Sequence, residues 1–251
     1  MRRAQRCDDR NRCGARSIPG ERSALDTERS TEGIQMTHLL HVNASARGDA
    51  SRSLELATRF VDELQAGDGE LTVERLDVFD GTLPEFGTVA AGAKMAVFGG
   101  QEQTAEQQDA WRDARSVFDR FDAADTLVFN VPFWNAGVPY PLKQLIDVIT
   151  QPGWAFAFDP ETGYRGLLQG KRAFVVYTSG VYAEWLPPAF GSDFTTTFFR
   201  DWLGFIGVTD VEEVHFAPTV VNPDVEGSRR AALAATLEAA QRFVEAERLA
   251  A

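Results

Sequence analysis

A doubly wound α/β domain built on five parallel strands is the fold this sequence predicts, and three observations carry it. Short apolar runs alternate with segments of helical period along most of the chain. Two of those runs, residues 126–131 and 173–177, are apolar nearly throughout, as strands covered on both faces are. Polar loops rich in hydroxyls, glycine or amides follow the strands at 43–50, 132–138 and 178–181. With right-handed crossovers the strands take the order 2-1-3-4-5, with helices on both faces of the sheet. The winding then reverses beside the first and third strands, and the three loops converge beyond the carboxyl ends there.

Taken in order, Met36 opens a strand-like run centred on Leu39, Leu40 and Val42. The loop from Asn43 to Ala50 turns the chain into a helix whose pattern begins at Ser51; Leu54, Ala57, Phe60, Val61 and Leu64 recur at helical spacing until Ala66-Gly67. Leu71, Val73, Leu76 and Val78 form the second strand. Residues 81–100, with Pro84, several glycines and a short Ala-rich piece, read as an excursion longer than a usual connection. Residues 104–121 form a helix with Trp111, Ala114, Val117, Phe118 and Phe121 inward. After the strand at 126–131 and the loop at 132–139, a helix runs over 140–150. Trp154, Phe156 and Phe158 alternate ahead of Asp159-Pro160-Glu161-Thr162-Gly163, which reads as an inserted hairpin and not a crossover. A buried strand at 173–177, a helix at 194–206, a last strand at 211–216 and a closing helix at 229–249 complete the chain.

Composition limits the function. With 251 residues, 44% of them apolar and 11% aromatic, the chain buries a full core and forms one domain, at 36–251. Residues 1–35, with eight Arg against six acids and no apolar periodicity, are expected to be disordered or a spurious extension upstream of a true start at Met36. Arg2-Arg3 lacks the apolar segment that a twin-arginine signal requires. No run approaches a membrane span. A net charge of -12 repels nucleic acid, so a phosphate must be held by a local device. Cys7 and Cys13 both fall in the extension, leaving no thiol in the domain. His38 and His41 on the opening strand read as surface residues, His215 stands apart, and no metal site is expected.

The local device is the loop at 43–53. The first amides of a helix have no internal partner, and the aligned peptide dipoles put partial positive charge there. Ser45, Ser51 and Ser53 add hydroxyls, Gly48 lets the backbone bend, and Arg47 and Arg52 add charge. Ser51 also fits a plain N-cap. The stretch is neither a Walker sequence nor a three-glycine dinucleotide fingerprint. In the second loop Phe133 and Trp134 offer flat apolar area, Asn135 an amide and Gly137 room for close approach, although the two aromatics equally suit packing beneath the next helix. In the third, Thr178, Ser179 and Gly180 end a buried strand and equally suit a simple turn. Together the three loops point to a flavin mononucleotide, its phosphate at the helix start and its ring along the other two.

At these residues the chain resembles the FMN-dependent NADH-azoreductase family, flavodoxin-like NAD(P)H:quinone and azo oxidoreductases. The likeness runs from Met36 to the C-terminus. It is carried by Ser45-x-Arg47-Gly48-x-x-Ser51-Arg52-Ser53, by 132–139 with Leu142-Lys143 and Asp147, by Gly166-Leu167-Leu168-x-Gly170-Lys171, and by 203–210. It implies a flavodoxin-like sheet. It also implies that Ser45, Ser51, Arg52 and Ser53 hold the FMN phosphate, that Pro132, Phe133, Trp134, Asn135 and Ala136 line the isoalloxazine, and that Thr178 and Gly180 stand near the ring. Members commonly have an aromatic where this chain has Ala136, and a Ser-Arg-Gly-Gly type loop in place of 178–181. The implied activity is ping-pong electron transfer from NADH or NADPH to quinones and azo compounds by a cytoplasmic homodimer. The flavin carries the chemistry, so no side chain is expected as catalyst, and backbone amides around Trp134, Asn135 and Gly180 are candidate donors to the reduced ring. An alternative is a flavodoxin-type electron carrier without its own nicotinamide oxidation; the additional hairpin and the long excursion are unnecessary for a carrier. A serine esterase is a third reading, but the chain has no Gly-x-Ser-x-Gly elbow and no histidine with an obvious position as base.

Overall fold

The structure, a computed structural model, describes residues 38–67 and 69–250, with side chains described to 246. The expectation for residues 1–35 lies outside the described residues.

Five strands, β1 (His38–Asn43), β2 (Thr72–Asp77), β3 (Thr126–Pro132), β6 (Arg172–Thr178) and β7 (Asp210–Phe216), form one sheet in the order β2-β1-β3-β6-β7. Every pairing in it is parallel, which is the expected 2-1-3-4-5 arrangement. The inserted hairpin is β4 (Phe156–Asp159) with β5 (Gly163–Gly166), antiparallel and separate from the main sheet. Among the described residues five α-helices lie between strands, α1 (Arg52–Gly67), α2 (Thr88–Gly99), α3 (Ala105–Ala123), α4 (Tyr140–Ile149) and α5 (Thr195–Ile206), and α6 (Val225–Ala250) follows β7.

Side chains alternate along each strand, so the core splits into two layers. On one face Leu39, Val128, Phe174 and Val176 pack against α1 and α6; Phe60 of α1 stacks on Phe174 with ring centroids 3.8 Å apart. On the other, Leu40, Val42, Phe129, Val131 and Val175 pack against α3, α4 and α5. Full cover on both faces is why β3 and β6 are apolar almost throughout.

Two expectations need correction. Residues 81–100 are not mainly irregular: α2 occupies most of the segment, its buried Ala90, Ala93 and Ala96 meeting α3 through side chains too small to give an amphipathic signal. His41 is not on the surface. Three residues from His38, it points to the opposite face of β1 and is buried, and that burial pulls its pKa down to about 4 against a hydrogen bond with Asn130 that raises it.

The family motifs outside the loops serve the fold. Lys171 donates to the carbonyls of Asp122 and Ala124, capping the end of α3. Lys143 pairs with Asp147 one turn on. A Cβ at Gly166 would lie 2.2 Å from the backbone nitrogen of Gly207, so only glycine lets the hairpin reach the end of α5.

Candidate cofactor site at the carboxyl edge of the sheet

The loops after β1, β3 and β6 all leave the same edge, beside the point where the strand order reverses. After β1, Ser45 is 4% exposed, Ser51 3% and Ser53 1%. Burying three hydroxyls is costly without partners, and the loop supplies some: the Ser51 and Ser53 oxygens lie 3.2 Å apart, and the Arg47 amide donates to the Ser45 oxygen at 3.5 Å. Ser51 is also the N-cap, its hydroxyl accepting from the Leu54 amide at 3.1 Å. Cap and anion seat are therefore compatible: Leu54 is satisfied, while Arg52 and Ser53, at the first two helical positions, have no intrahelical acceptor for their amides. Gly48 takes a φ of 50° in a single 3-10 turn that lifts the chain into α1. Arg47 is exposed, and the Arg52 guanidinium sits 3.4 Å from Glu55. Glu55 is held below the ordinary carboxylate range chiefly by Arg229, so the charge of Arg52 is partly spoken for.

After β3 the chain folds on itself in a two-residue turn. The Trp134 amide donates to the Gly137 carbonyl at 2.8 Å and the Gly137 amide donates back at 3.0 Å. Asn135 and Ala136 hold the positive φ values, 52° and 67°. The conformational demand of the turn therefore falls on Asn135 and Ala136. The Trp134 amide is used by the turn and is not free to serve a ligand. Phe133 is half-buried and stacks on Tyr182 at 5.6 Å, which is packing and not an open platform. Trp134 is 37% exposed and carries the open aromatic face; Phe79 and Tyr140 flank it at 5.5 and 6.3 Å. Phe79, in the connection after β2, was missed from sequence because a lone Phe in an acidic turn carries no spacing signal.

Pro132 and Thr178 are partners in register, and the Phe133 amide donates to the Thr178 carbonyl, so the second and third loops leave the sheet tied together. Thr178 and Ser179 are buried. The segment after β7 braces the third loop, with Thr219 and Val220 amides donating to Ser179 and Gly180 carbonyls at 2.8 and 2.7 Å. A Cβ on Gly180 would stand 3.4 Å from Val220, so the brace lies close against it. On β7, Glu213 is raised by burial but held down to about 2 by the stronger effect of His215 and Arg200. The structure thus brings Ser45, Ser51, Arg52 and Ser53 to one loop, and ties the turn at 132–136 to Thr178 and Gly180 beside it.

A model of the flavodoxin-like fold family matches residues 37–240, and so includes every candidate residue. An "FMN-dependent NADH:quinone oxidoreductase" of Ruegeria pomeroyi is 44% identical over 200 residues, covering 80% of this chain and 98% of that protein. A second relative of that description, from Pseudomonas syringae pv. tomato, is 38% identical over 205 residues, 78% of this chain and 94% of its own. This chain belongs to that family. Among solved structures, an azoreductase from Bacillus anthracis superposes with a TM-score of 0.75 at 28% identity, covering 83% of this chain and all of the other. An FMN-dependent NADH-azoreductase from the same species, solved in complex with FMN, gives 0.74 at 25% identity with the same coverage. The family resemblance read from the loop motifs is therefore borne out, and with it an oxidoreductase of flavodoxin-like fold.

Proposed function

We propose that this chain is an FMN-dependent oxidoreductase that moves electrons from NADH or NADPH to quinones and azo compounds in ping-pong order. The observation that carries it is the junction of β1 and α1. There three buried serine hydroxyls and the open amides of Arg52 and Ser53 gather at the switch point of an otherwise acidic protein. That donor set fits a phosphate monoester, and the exposed face of Trp134 next to it fits a flat ring.

Ser45, Ser51, Ser53 and the first amides of α1 would hold the phosphate, with Arg52 adding charge. Pro132, Phe133, Trp134, Asn135 and Ala136 would line the ring on one side, with Thr178 and Gly180 near it from the third loop. FMN bound there would supply hydride acceptance from a reduced nicotinamide and electron donation to a flat, electron-poor acceptor. The protein's part is to orient the rings and to aim fixed donors where charge develops. The amides of Asn135 and Gly180 remain candidates for that; Trp134 does not. Ala136, small where relatives commonly carry an aromatic, leaves room above the turn for a broader acceptor. The exposed apolar rim of Tyr140, Val181, Trp185, Phe190 and Phe194 supports a homodimer that covers the ring end of the site. We place the enzyme in the cytoplasm on the strength of the family resemblance; separately, among the described residues no helix is long and apolar enough to cross a membrane.

Anaerobic mixing of the FMN-loaded protein with NADH, followed by a quinone, tests the reading. Rapid loss of the flavin absorbance, then its return on addition of quinone with the nicotinamide already gone, is expected. A flavin that NADH does not bleach would mark an electron carrier instead, and a protein that binds no FMN would remove the proposal altogether.

A further inference from the structure

Asp77, Asn43 and Asn130 stand side by side in register at the ends of β2, β1 and β3, on the face that carries α1. The row crosses three parallel strands at their carboxyl ends, and its hydrogen bonds have only one consistent sense. The Asp77 carboxylate can only accept. It therefore takes the Asn43 amide group at 2.8 Å, which leaves the Asn43 oxygen to accept from Asn130 at 2.7 Å. The Asn130 oxygen then accepts from His41 at 3.0 Å, which puts the imidazole proton on Nε2.

Two members of this row, Asn43 at its middle and Asp77 at its outer end, grip the two halves of the candidate site. The Asn43 oxygen also accepts from the Ser45 amide at 3.1 Å, and its amide group reaches the Ser45 carbonyl at 3.4 Å, fixing the entry to the serine loop. The second Asp77 oxygen accepts from the Phe79 amide at 2.9 Å, fixing the residue that packs beside Trp134. We propose that the Asp77–Asn43–Asn130 row is a positioning device that holds the phosphate loop and the aromatic platform in mutual register, so that FMN affinity depends on side chains that never touch it. The inference rests on the serine loop being the phosphate seat.

Asn43→Asp tests it, because it changes one donor into an acceptor with almost no change in shape. The charged or titratable groups around position 43 are Asp77 and Arg75 on β2, His41 on its own strand and Arg47 in the loop; β3 offers neutral Asn130, and α1 begins above with two serines and Arg52. His41, whose pKa is about 4, stays neutral from pH 5 to 8. Over that range the carboxylates at 43 and 77 oppose each other when both are ionised and share a hydrogen bond when they hold one proton. FMN dissociation constants from flavin fluorescence should rise about tenfold at pH 8 in this variant and recover towards pH 5, with no such recovery in the native chain.

The exchange Asn43→Asp with Asp77→Asn restores every bond between the strands, since the amide at 77 donates to the carboxylate at 43 and its oxygen still accepts from Phe79; only the long 3.4 Å contact with the Ser45 carbonyl is given up. It should return affinity to the native level and remove the pH dependence. It carries the test alone if the single variant does not fold at pH 8. Native affinity for Asn43→Asp at pH 8, or an exchange variant that folds yet keeps weak FMN binding, would overturn the proposal. Ser51→Ala with Ser53→Ala, titrated alongside, separates the two readings. Weak binding there with intact binding in Asn43→Asp sinks the row alone; intact binding there sinks the seat and the row together.

Discussion

The two ends of the candidate site are built in opposite ways. At the β1 end the hydroxyls are buried, the helix is capped and the loop is tied to the sheet by the Asn43 bonds, so the donors stand ready before any ligand arrives. At the other end, beyond β3 and β6, Trp134, Tyr140, Val181 and Trp185 lie open to solvent on a turn, a helix start and a loop. The contrast follows from the chemistry each end has to do. A phosphate is recognised by fixed dipoles, which are worth most when they need no rearrangement. A flat ring is recognised by area, which can wait exposed until the ring or a second copy of the chain covers it.

Several changes would break or sharpen that contrast. The largest effect is expected from Gly166→Ala, whose new methyl would collide with the backbone of Gly207 where the hairpin meets α5. Neither backbone can yield cheaply, so urea unfolding should show a loss of about 3 kcal/mol or more, well away from the serine loop. Acid should weaken the β1 end next. His41 is neutral when folded down to about pH 4 against 6.5 in the unfolded chain, so between those values the unfolded state binds the extra proton. Its contribution is complete above pH 6.5 and falls away by up to about 3 kcal/mol towards pH 4. Glu213, held to about 2, adds its loss only below its ordinary value of 4.5. A decline in the urea midpoint between pH 6.5 and 4.5 that His41→Gln flattens would isolate the histidine.

Smaller effects distinguish the ends by ligand. Trp134→Ala should cost roughly 1–2 kcal/mol of binding to FMN and riboflavin alike, since both carry the ring, in a titration of each against the variant. The smallest change is Ala136→Gly. With φ at 67°, Ala136 holds a left-handed conformation that glycine adopts freely, so the variant should be more stable by about 1 kcal/mol in thermal unfolding.

The same contrast explains what could be read from the sequence. The strand order, the hairpin and the serine loop were legible because parallel-sheet strands are apolar on both faces and because loop chemistry sits in contiguous residues. The alanine helix α2 was not, since Ala90, Ala93 and Ala96 bury little and leave no amphipathic trace. The row from Asp77 through Asn43 to Asn130 was also hidden: it joins three strands, and adjacency across strands follows from register, which no local spacing reveals. The burial of His41 went unseen for a simpler reason, that three residues along a strand reverse the face. At the turn, Gly137 drew attention by residue type, while the positive φ values fell on its neighbours Asn135 and Ala136.

The central claim is that the amides and serines at the start of α1 hold a phosphate. Parallel titrations of the protein with FMN and with riboflavin, which differ only in that group, test it most directly. The account expects FMN to bind roughly a hundredfold more tightly, about 2.7 kcal/mol, and expects Ser51→Ala with Ser53→Ala to shrink that gap while leaving riboflavin binding unchanged. Equal affinities for the two ligands, or a gap that the serine changes leave intact, would contradict it.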